Sequence, residues 1–215
     1  LKRWLLAPVK PLAEAKSRLA AILNGEERAA VMRDLLERTL MLAAGSELFD
    51  ELLVISRDPL VWEVARRLGA RALPEEGEDL NRALEQGRRY AAAAGVDHLL
   101  VLPADLPWLT RTDLQELCRL GETGGSDGIS GGISDGGTVI APSQDGGTNA
   151  LYLRLPHAMP FCFGENSFAR HLAAAAALGA AARVYDSPTL RFDLDTPADL
   201  ARLRTVLGST AQERL

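Results

Sequence analysis

The chain has 215 residues, 47% apolar and 25% charged, the composition of an ordinary soluble globular protein with enough chain for one full hydrophobic core. Its formal net charge of −5 excludes a general nucleic-acid binder, which would present a basic face. The longest small-apolar run, Leu172 to Ala182, spans 11 residues, against the roughly 18 or more that a membrane-spanning helix requires.

Short apolar runs alternate with amphipathic stretches along the chain. Strands are predicted at Trp4–Val9, Leu52–Ser56, Leu99–Pro103, Thr138–Ala141, Ala150–Leu153 and Arg191–Leu194. Between them, helical periodicity marks Glu26–Ala44, Pro59–Leu68, Leu80–Ala94, Thr112–Leu120, Ser167–Leu178 and Pro197–Leu207. The first of these helices carries Met32, Leu35, Leu36, Leu40 and Ala43 at i, i+3, i+4 spacing, a stripe made to pack on a sheet. Such alternation implies a mostly parallel sheet covered on both faces, hence a three-layer α/β/α domain over residues 1–215. Gly121 to Gly147 breaks the pattern with 10 of the 19 glycines, and the role of 121–137 is left open. Cys118 and Cys162 stand far apart, outside any CxxC, so no disulfide framework or zinc site is expected. Trp4–Ala7 is too short for a signal-peptide core, and the expected location is cytoplasmic.

Charge is unevenly spread. Residues 1–19 hold a local +4, and all three lysines of the chain, Lys2, Lys10 and Lys16, lie there; the other basic residues are arginines. A lysine ammonium is a compact point charge that arginine's planar fork does not replace in a tight phosphate site. In open α/β sheets ligands bind beyond the carboxyl ends of strands. There the first strand delivers Lys10, Lys16 and Arg18, three cations within nine residues, in a loop able to wrap a triphosphate. Neither G-x-G-x-x-G nor a Walker lysine motif is present. The run Leu99–Leu102 leads to Asp105 between two prolines, and Asp193-Leu194-Asp195 places two carboxylates on one face if extended. Asp105, Asp193 and Asp195 together suit a hard cation such as Mg²⁺, although Asp195-Thr196-Pro197 also reads as a helix cap. Asp145-Gly146-Gly147-Thr148 and Phe163-Gly164-Glu165-Asn166-Ser167 offer glycine backbone and a helix start as an anion site. Ser167 and His171 share a helix face, with His171 in a supporting place rather than as a base. His98 and His157 belong to no constellation, and no nucleophilic triad can be assembled.

Six motifs in order give the chain a family resemblance: Val-Lys-Pro-Leu-x-x-Ala-Lys-Ser-Arg-Leu at 9–19, Leu-Asn-x-Ala-Leu at 80–84, Asp-Leu-Pro at 105–107, Asp-Gly-Gly-Thr-Asn-Ala-Leu at 145–151, Phe-Gly-x-x-Ser-Phe-x-x-His at 163–171 and Asp-x-Asp-Thr-Pro-x-Asp-Leu at 193–200. Together they resemble the guanylyltransferases of deazaflavin coenzyme F-420 biosynthesis, which act on 2-phospho-L-lactate or phosphoenolpyruvate. The resemblance implies a nucleotidyltransferase fold like that of nucleotide-diphospho-sugar transferases. It also implies transfer of GMP from GTP to the phosphate of a three-carbon acid, with release of diphosphate. Carried over motif by motif, Lys10, Lys16, Arg18 and Asp105 would be catalytic, and Asp105, Asp193 and Asp195 would bind Mg²⁺. The same carry-over gives the triphosphate to Lys10, Lys16 and Arg18, places Asn81 near the nucleoside, and assigns the phosphorylated acid to Thr148, Gly164 and Ser167. The partners are then GTP and a small phospho-acid, with no nucleic acid or membrane; a homodimer is allowed but not implied.

Three other readings compete. The acceptor could be 3-phosphoglycerate, or a sugar phosphate or pterin, though relatives acting on the last two usually carry Gly-x-Gly-x-Arg where this chain has Ala7-Pro8-Val9-Lys10. An inactive nucleotide-binding regulatory module is the reading from another class, and the retained carboxylates and lysines weigh against it.

Overall fold

The computed structural model describes residues 1–123, 137–156 and 159–212; most of the glycine-rich segment 121–137 and His157 lie outside the described residues. Seven strands form one sheet: β1 (Arg3–Pro8), β2 (Glu51–Ser56), β3 (Arg71–Pro74), β4 (His98–Val101), β5 (Val139–Pro142), β6 (Thr148–Arg154) and β7 (Arg183–Val184). Six helices cover it: α1 (Gly25–Ser46), α2 (Pro59–Arg67), α3 (Leu80–Ala93), α4 (Arg111–Glu122), α5 (Ser167–Ala177) and α6 (Pro197–Gln212). The sheet order is β3-β2-β1-β4-β6-β5-β7. Strand β6 runs antiparallel to β4 and β5, and the other pairings are parallel.

Every residue of β1 from Trp4 to Ala7 is buried, and the pleat sends them to alternate faces. Leu5 and Ala7 join Met32, Leu36 and Leu40 of α1, Val61 and Val64 of α2, and Leu114 and Leu117 of α4. Trp4 and Leu6 join Ala83, Leu84 and Ala91 of α3 and Ala175 of α5. Two cores on opposite faces make the three-layer α/β/α arrangement that the alternation of apolar runs requires. On the second face α3 lies close because Gly87 has no side chain; a Cβ there would come within 2.6 Å of Leu6. Helix ends follow local chemistry. Asn24 and Glu27 make a reciprocal capping box at α1, as do Thr110 and Asp113 at α4.

Two strands escape the apolar pattern. β3 and β7 are short edge strands, partly exposed and containing arginine, so neither presents an apolar run. The predicted strand at Arg191–Leu194 does not form. That segment runs without a ladder, tied by Gln144 N–H to Arg191 O at 3.0 Å and by Leu194 N–H to Asp105 O at 3.0 Å.

The order places the site. The chain runs outward from β1 to β2 and β3, then returns to lay β4 on the other side of β1. This reversal opens a crevice at the carboxyl ends of β1 and β4. Because β6 is antiparallel, its first residue, Thr148, stands at that same rim.

Candidate active site

A cavity of about 860 Å³ opens at this rim, within the size range of small-ligand sites. Its lining includes Lys10, Lys16 and Arg18 after β1, Asp105 after β4, Asp145, Gly147 and Thr148 around the β5–β6 turn, Gly164 and Ser167 before α5, and Asp193 and Asp195 before α6. Five segments far apart in sequence thus meet at one place.

The first loop is anchored at both ends. Val9 N–H donates to Ile55 O at 2.9 Å, and Leu12 N–H donates to the Asp58 carboxylate at 2.8 Å. Two 3-10 turns, Leu12–Glu14 and Ser17–Leu19, are joined through Lys16, whose φ of +53° lies in the left-handed region that non-glycine residues seldom adopt. This turn drives the Lys16 side chain inward until it is 5% exposed, with Nζ at 2.6 Å from Asp105 and 3.0 Å from Asp195. Burial opposes its charge, but the two carboxylates outweigh burial and raise the ammonium above its usual pKa. Lys10 is exposed, and Arg18, with a side chain 68% exposed, reaches Asp195 at 3.4 Å. The three cations therefore divide. Lys16 neutralises carboxylates, while Lys10 and Arg18 remain open to an incoming polyanion.

Asp193 carries the opposite imbalance. Burial, followed by the charges of Asp105 and Asp195, pushes its carboxyl up to about 6. No cation among the described residues pairs with it. The question of Asp195 as a helix cap is settled by its neighbour. Thr196 Oγ1 accepts from Asp199 N–H at 3.3 Å, and the Asp199 carboxylate accepts from Thr196 N–H at 2.7 Å. Capping falls to Thr196, which leaves the Asp195 carboxylate facing the cavity. Among the described residues no three His, Cys, Asp or Glu side chains stand in a ready-made metal-binding group. The donor chemistry still fits a hard divalent cation: three carboxylates face one space, and the unpaired Asp193, its carboxyl raised by burial and by its acidic neighbours, marks a deficit of positive charge there. Lys16 supplies part of that charge.

An aromatic brace sets the two carboxylate loops against each other. Trp108 stacks on Phe192 with centroids 3.9 Å apart, and Arg202 of α6 lies over both rings at 4.7 and 5.0 Å. Neither Trp108 nor Arg202 belongs to a motif with an obvious chemical role, and sequence reasoning passed over them.

At the other end of the cavity a buried polar chain joins β6 to α5. Thr148, Ser167 and His171 are 6%, 1% and 0% exposed. Ser167 Oγ lies 3.1 Å and His171 Nδ1 2.9 Å from Thr148 Oγ1. Burial lowers the His171 pKa to about 4. Asp145, beside them, is held below its ordinary range chiefly by the hydroxyl of Ser143, with the Gly147 N–H adding to it.

Asn81 stands between Leu80 and Ala83, which line the cavity; its amide donates to Phe163 O at 3.1 Å and accepts from Phe163 N–H at 2.8 Å, so it fastens the loop that carries Gly164. The start of α5 is less open to an anion than a bare helix end, because Ser167 N–H donates to Gly164 O and Phe168 N–H to Gly146 O. Hydroxyls, rather than those amides, face the cavity there.

Comparison with known proteins bears on the family and the fold. The family model described as "Guanylyl transferase CofC like" matches residues 3–213. The phosphoenolpyruvate guanylyltransferase of Rubrobacter xylanophilus is 45% identical over 206 residues, covering 95% of both chains. The 2-phospho-L-lactate guanylyltransferase of Methanothermobacter thermautotrophicus is 37% identical over 206 residues, covering 94% of this chain and 84% of its own. Among solved structures, a Desulfovibrio desulfuricans protein assigned to the nucleotide-diphospho-sugar transferases superposes with a TM-score of 0.71 at 17% identity, covering 94% of this chain and 87% of its own. A CMP-2-keto-3-deoxy-manno-octonic acid synthetase complexed with CTP gives 0.61 at 14% identity, covering 98% and 100%. These two show the nucleotidyltransferase fold. No helix among the described residues is long and apolar enough to cross a membrane.

Proposed function

Because the chain belongs to the CofC-like guanylyl transferase family, we propose that it transfers GMP from GTP to the phosphate of a three-carbon acid, phosphoenolpyruvate before 2-phospho-L-lactate, in coenzyme F-420 biosynthesis. The observation that carries this reading is the single cavity in which an exposed cationic loop, three carboxylates and a hydroxyl-lined recess face one another. The preference for phosphoenolpyruvate rests on relatives of that name at 45%, 40% and 38% identity, against 37% for the first relative named for the lactate.

The two substrates are polyanions that repel, so the work is positioning and charge neutralisation; no protein nucleophile is required. Lys10 and Arg18 receive the triphosphate, as the two cations of the loop that are exposed. Lys16 holds Asp105 and Asp195 in place while adding positive charge behind the phosphates. Thr148, Ser167 and the Gly164 backbone hold the acid so that its phosphate oxygen lies in line with the α-phosphorus of GTP. A new P–O bond forms there as the bond to the β-phosphate breaks, and diphosphate carries away the electron pair. Mg²⁺ held by Asp105, Asp193 and Asp195 would neutralise the reacting phosphates. The cytoplasm, where GTP and such acids are both available, is its place of action.

The test is diphosphate release from GTP and Mg²⁺ with phosphoenolpyruvate, 2-phospho-L-lactate and 3-phosphoglycerate in parallel. The highest kcat/KM is expected with phosphoenolpyruvate. Release with none of the three would overturn the reading.

A further inference from the structure

The buried chain behind Thr148 has a fixed direction. A neutral imidazole has one donor and one acceptor nitrogen. His171 Nε2 lies 2.9 Å from the backbone N–H of Cys162 and must accept from it. The proton of the ring is therefore on Nδ1, which donates to Thr148 Oγ1 at 2.9 Å. The Ser167 hydroxyl donates to the same oxygen at 3.1 Å. A hydroxyl oxygen accepts two hydrogen bonds and carries one hydrogen. With both acceptor positions filled from within the protein, Thr148 has only its hydrogen left to offer, on a side chain that lines the cavity. His171 is fully buried, and its ring packs edge-on against Phe163 at 4.8 Å, so it has no room to turn over.

We propose that His171, as the neutral Nδ1–H tautomer, is a positioning residue that commits the Thr148 hydroxyl to act as a donor toward the anionic oxygens of the phospho-acid. A free threonine hydroxyl is ambivalent and gains as much from water as from an anion. One locked as a donor matches a phosphate or carboxylate, which only accepts. Cys162 contributes through its backbone alone, and the thiol takes no part. The inference rests on the phospho-acid reading above for the identity of the anion, but the tautomer does not depend on it.

Two measurements test it. In the parent protein at pH 7, two-bond ¹H–¹⁵N correlation of the His171 ring should show a neutral imidazole protonated at Nδ1; protonation at Nε2 would overturn the proposal whether or not the enzyme turns over. In kinetics, Thr148→Val and His171→Gln, which has no donor at the Nδ1 position, should each raise KM for phosphoenolpyruvate by about tenfold to a hundredfold, the worth of one hydrogen bond to a charged group. KM for GTP should stay within about twofold. His171→Asn, whose amide nitrogen replaces Nδ1, should recover most of the loss. The double variant of Thr148→Val with His171→Gln should be no worse than Thr148→Val alone, since both remove one interaction. Equal rises in both KM values, or additive losses, would mean that His171 only maintains the fold. If the parent releases no diphosphate from any acid, the functional reading fails and the ring spectrum alone judges the relay.

Discussion

Replacing Lys16 by methionine should destabilise the protein strongly, and more than its position in a surface loop suggests. The ammonium is almost wholly buried and sits 2.6 Å from Asp105 and 3.0 Å from Asp195, whose side chains are 25% and 37% exposed. Removing one partner from a buried ion pair costs about 3–5 kcal/mol, because the remaining charge is left without compensation. The partly exposed carboxylates recover some hydration, which places Lys16→Met near the lower end, about 3 kcal/mol. For a chain of this size that is roughly 6–12 °C of melting temperature. The loss should appear in calorimetry at pH 8, and salt should reduce it only in part, because the ammonium is buried while the carboxylates are partly exposed. Added Mg²⁺ should narrow the gap, since a divalent cation between the carboxylates replaces the missing charge. A variant that melts within a degree of the parent would refute the reasoning, showing that Lys16 does not balance these carboxylates.

Asp193→Asn should raise stability at pH 8 while cutting turnover on the order of a hundredfold, since metal charge stabilisation is worth several kcal/mol. The sign follows from its carboxyl, pushed up from 3.8 to about 6: folding favours the protonated form, so the parent loses up to about 3 kcal/mol as pH rises through that window, and equal melting temperatures of parent and variant at pH 8 would contradict it. His171 works in the other direction. Its pKa falls from 6.5 to about 4 on folding, so its contribution is intact above pH 6.5 and declines by about 3 kcal/mol as pH drops toward 4; His171→Asn should flatten the acid limb of a melting-temperature profile, and an unchanged limb would refute this. Trp108→Ala removes the stack on Phe192 and the Arg202 contact, worth about 1–2.5 kcal/mol together. Turnover should fall further than that because the Asp105 and Asp193 loops lose their shared brace, and Trp108→Phe should restore most of it; activity tracking stability alone would deny the brace.

Much of the architecture was legible because burial imposes period on sequence. The stripe from Met32 to Ala43 reads as a helix packed on a sheet, and Leu99–Leu102 as a buried strand. β3 and β7 were invisible for the same reason, since edge strands bury little and show no pattern. The residues of the site were legible as chemistry at strand ends, but their partners were not. Lys16 read as a phosphate ligand; its left-handed backbone, which no motif announces, also sets it against Asp105 and Asp195, partners that spacing alone does not give. The family resemblance placed Asn81 near the nucleoside, but no spacing announced the partner of its amide, Phe163, 82 positions away. The Asp193-Leu194-Asp195 segment brought both carboxylates to one cavity without joining the sheet. Local spacing shows which groups face a rim, while pairing across it depends on loops that only the folded chain defines.

The central claim is guanylyl transfer to a phospho-acid, and ³¹P NMR of GTP, phosphoenolpyruvate and Mg²⁺ with the purified protein tests it most directly. Equimolar consumption of both substrates is predicted, with one new P–O–P linkage between the α-phosphorus and the acid's phosphate and one diphosphate released, and with Asp105→Asn slowing all of these signals together. Hydrolysis of GTP without the new linkage, or no consumption of either substrate by a folded parent protein, would contradict the account.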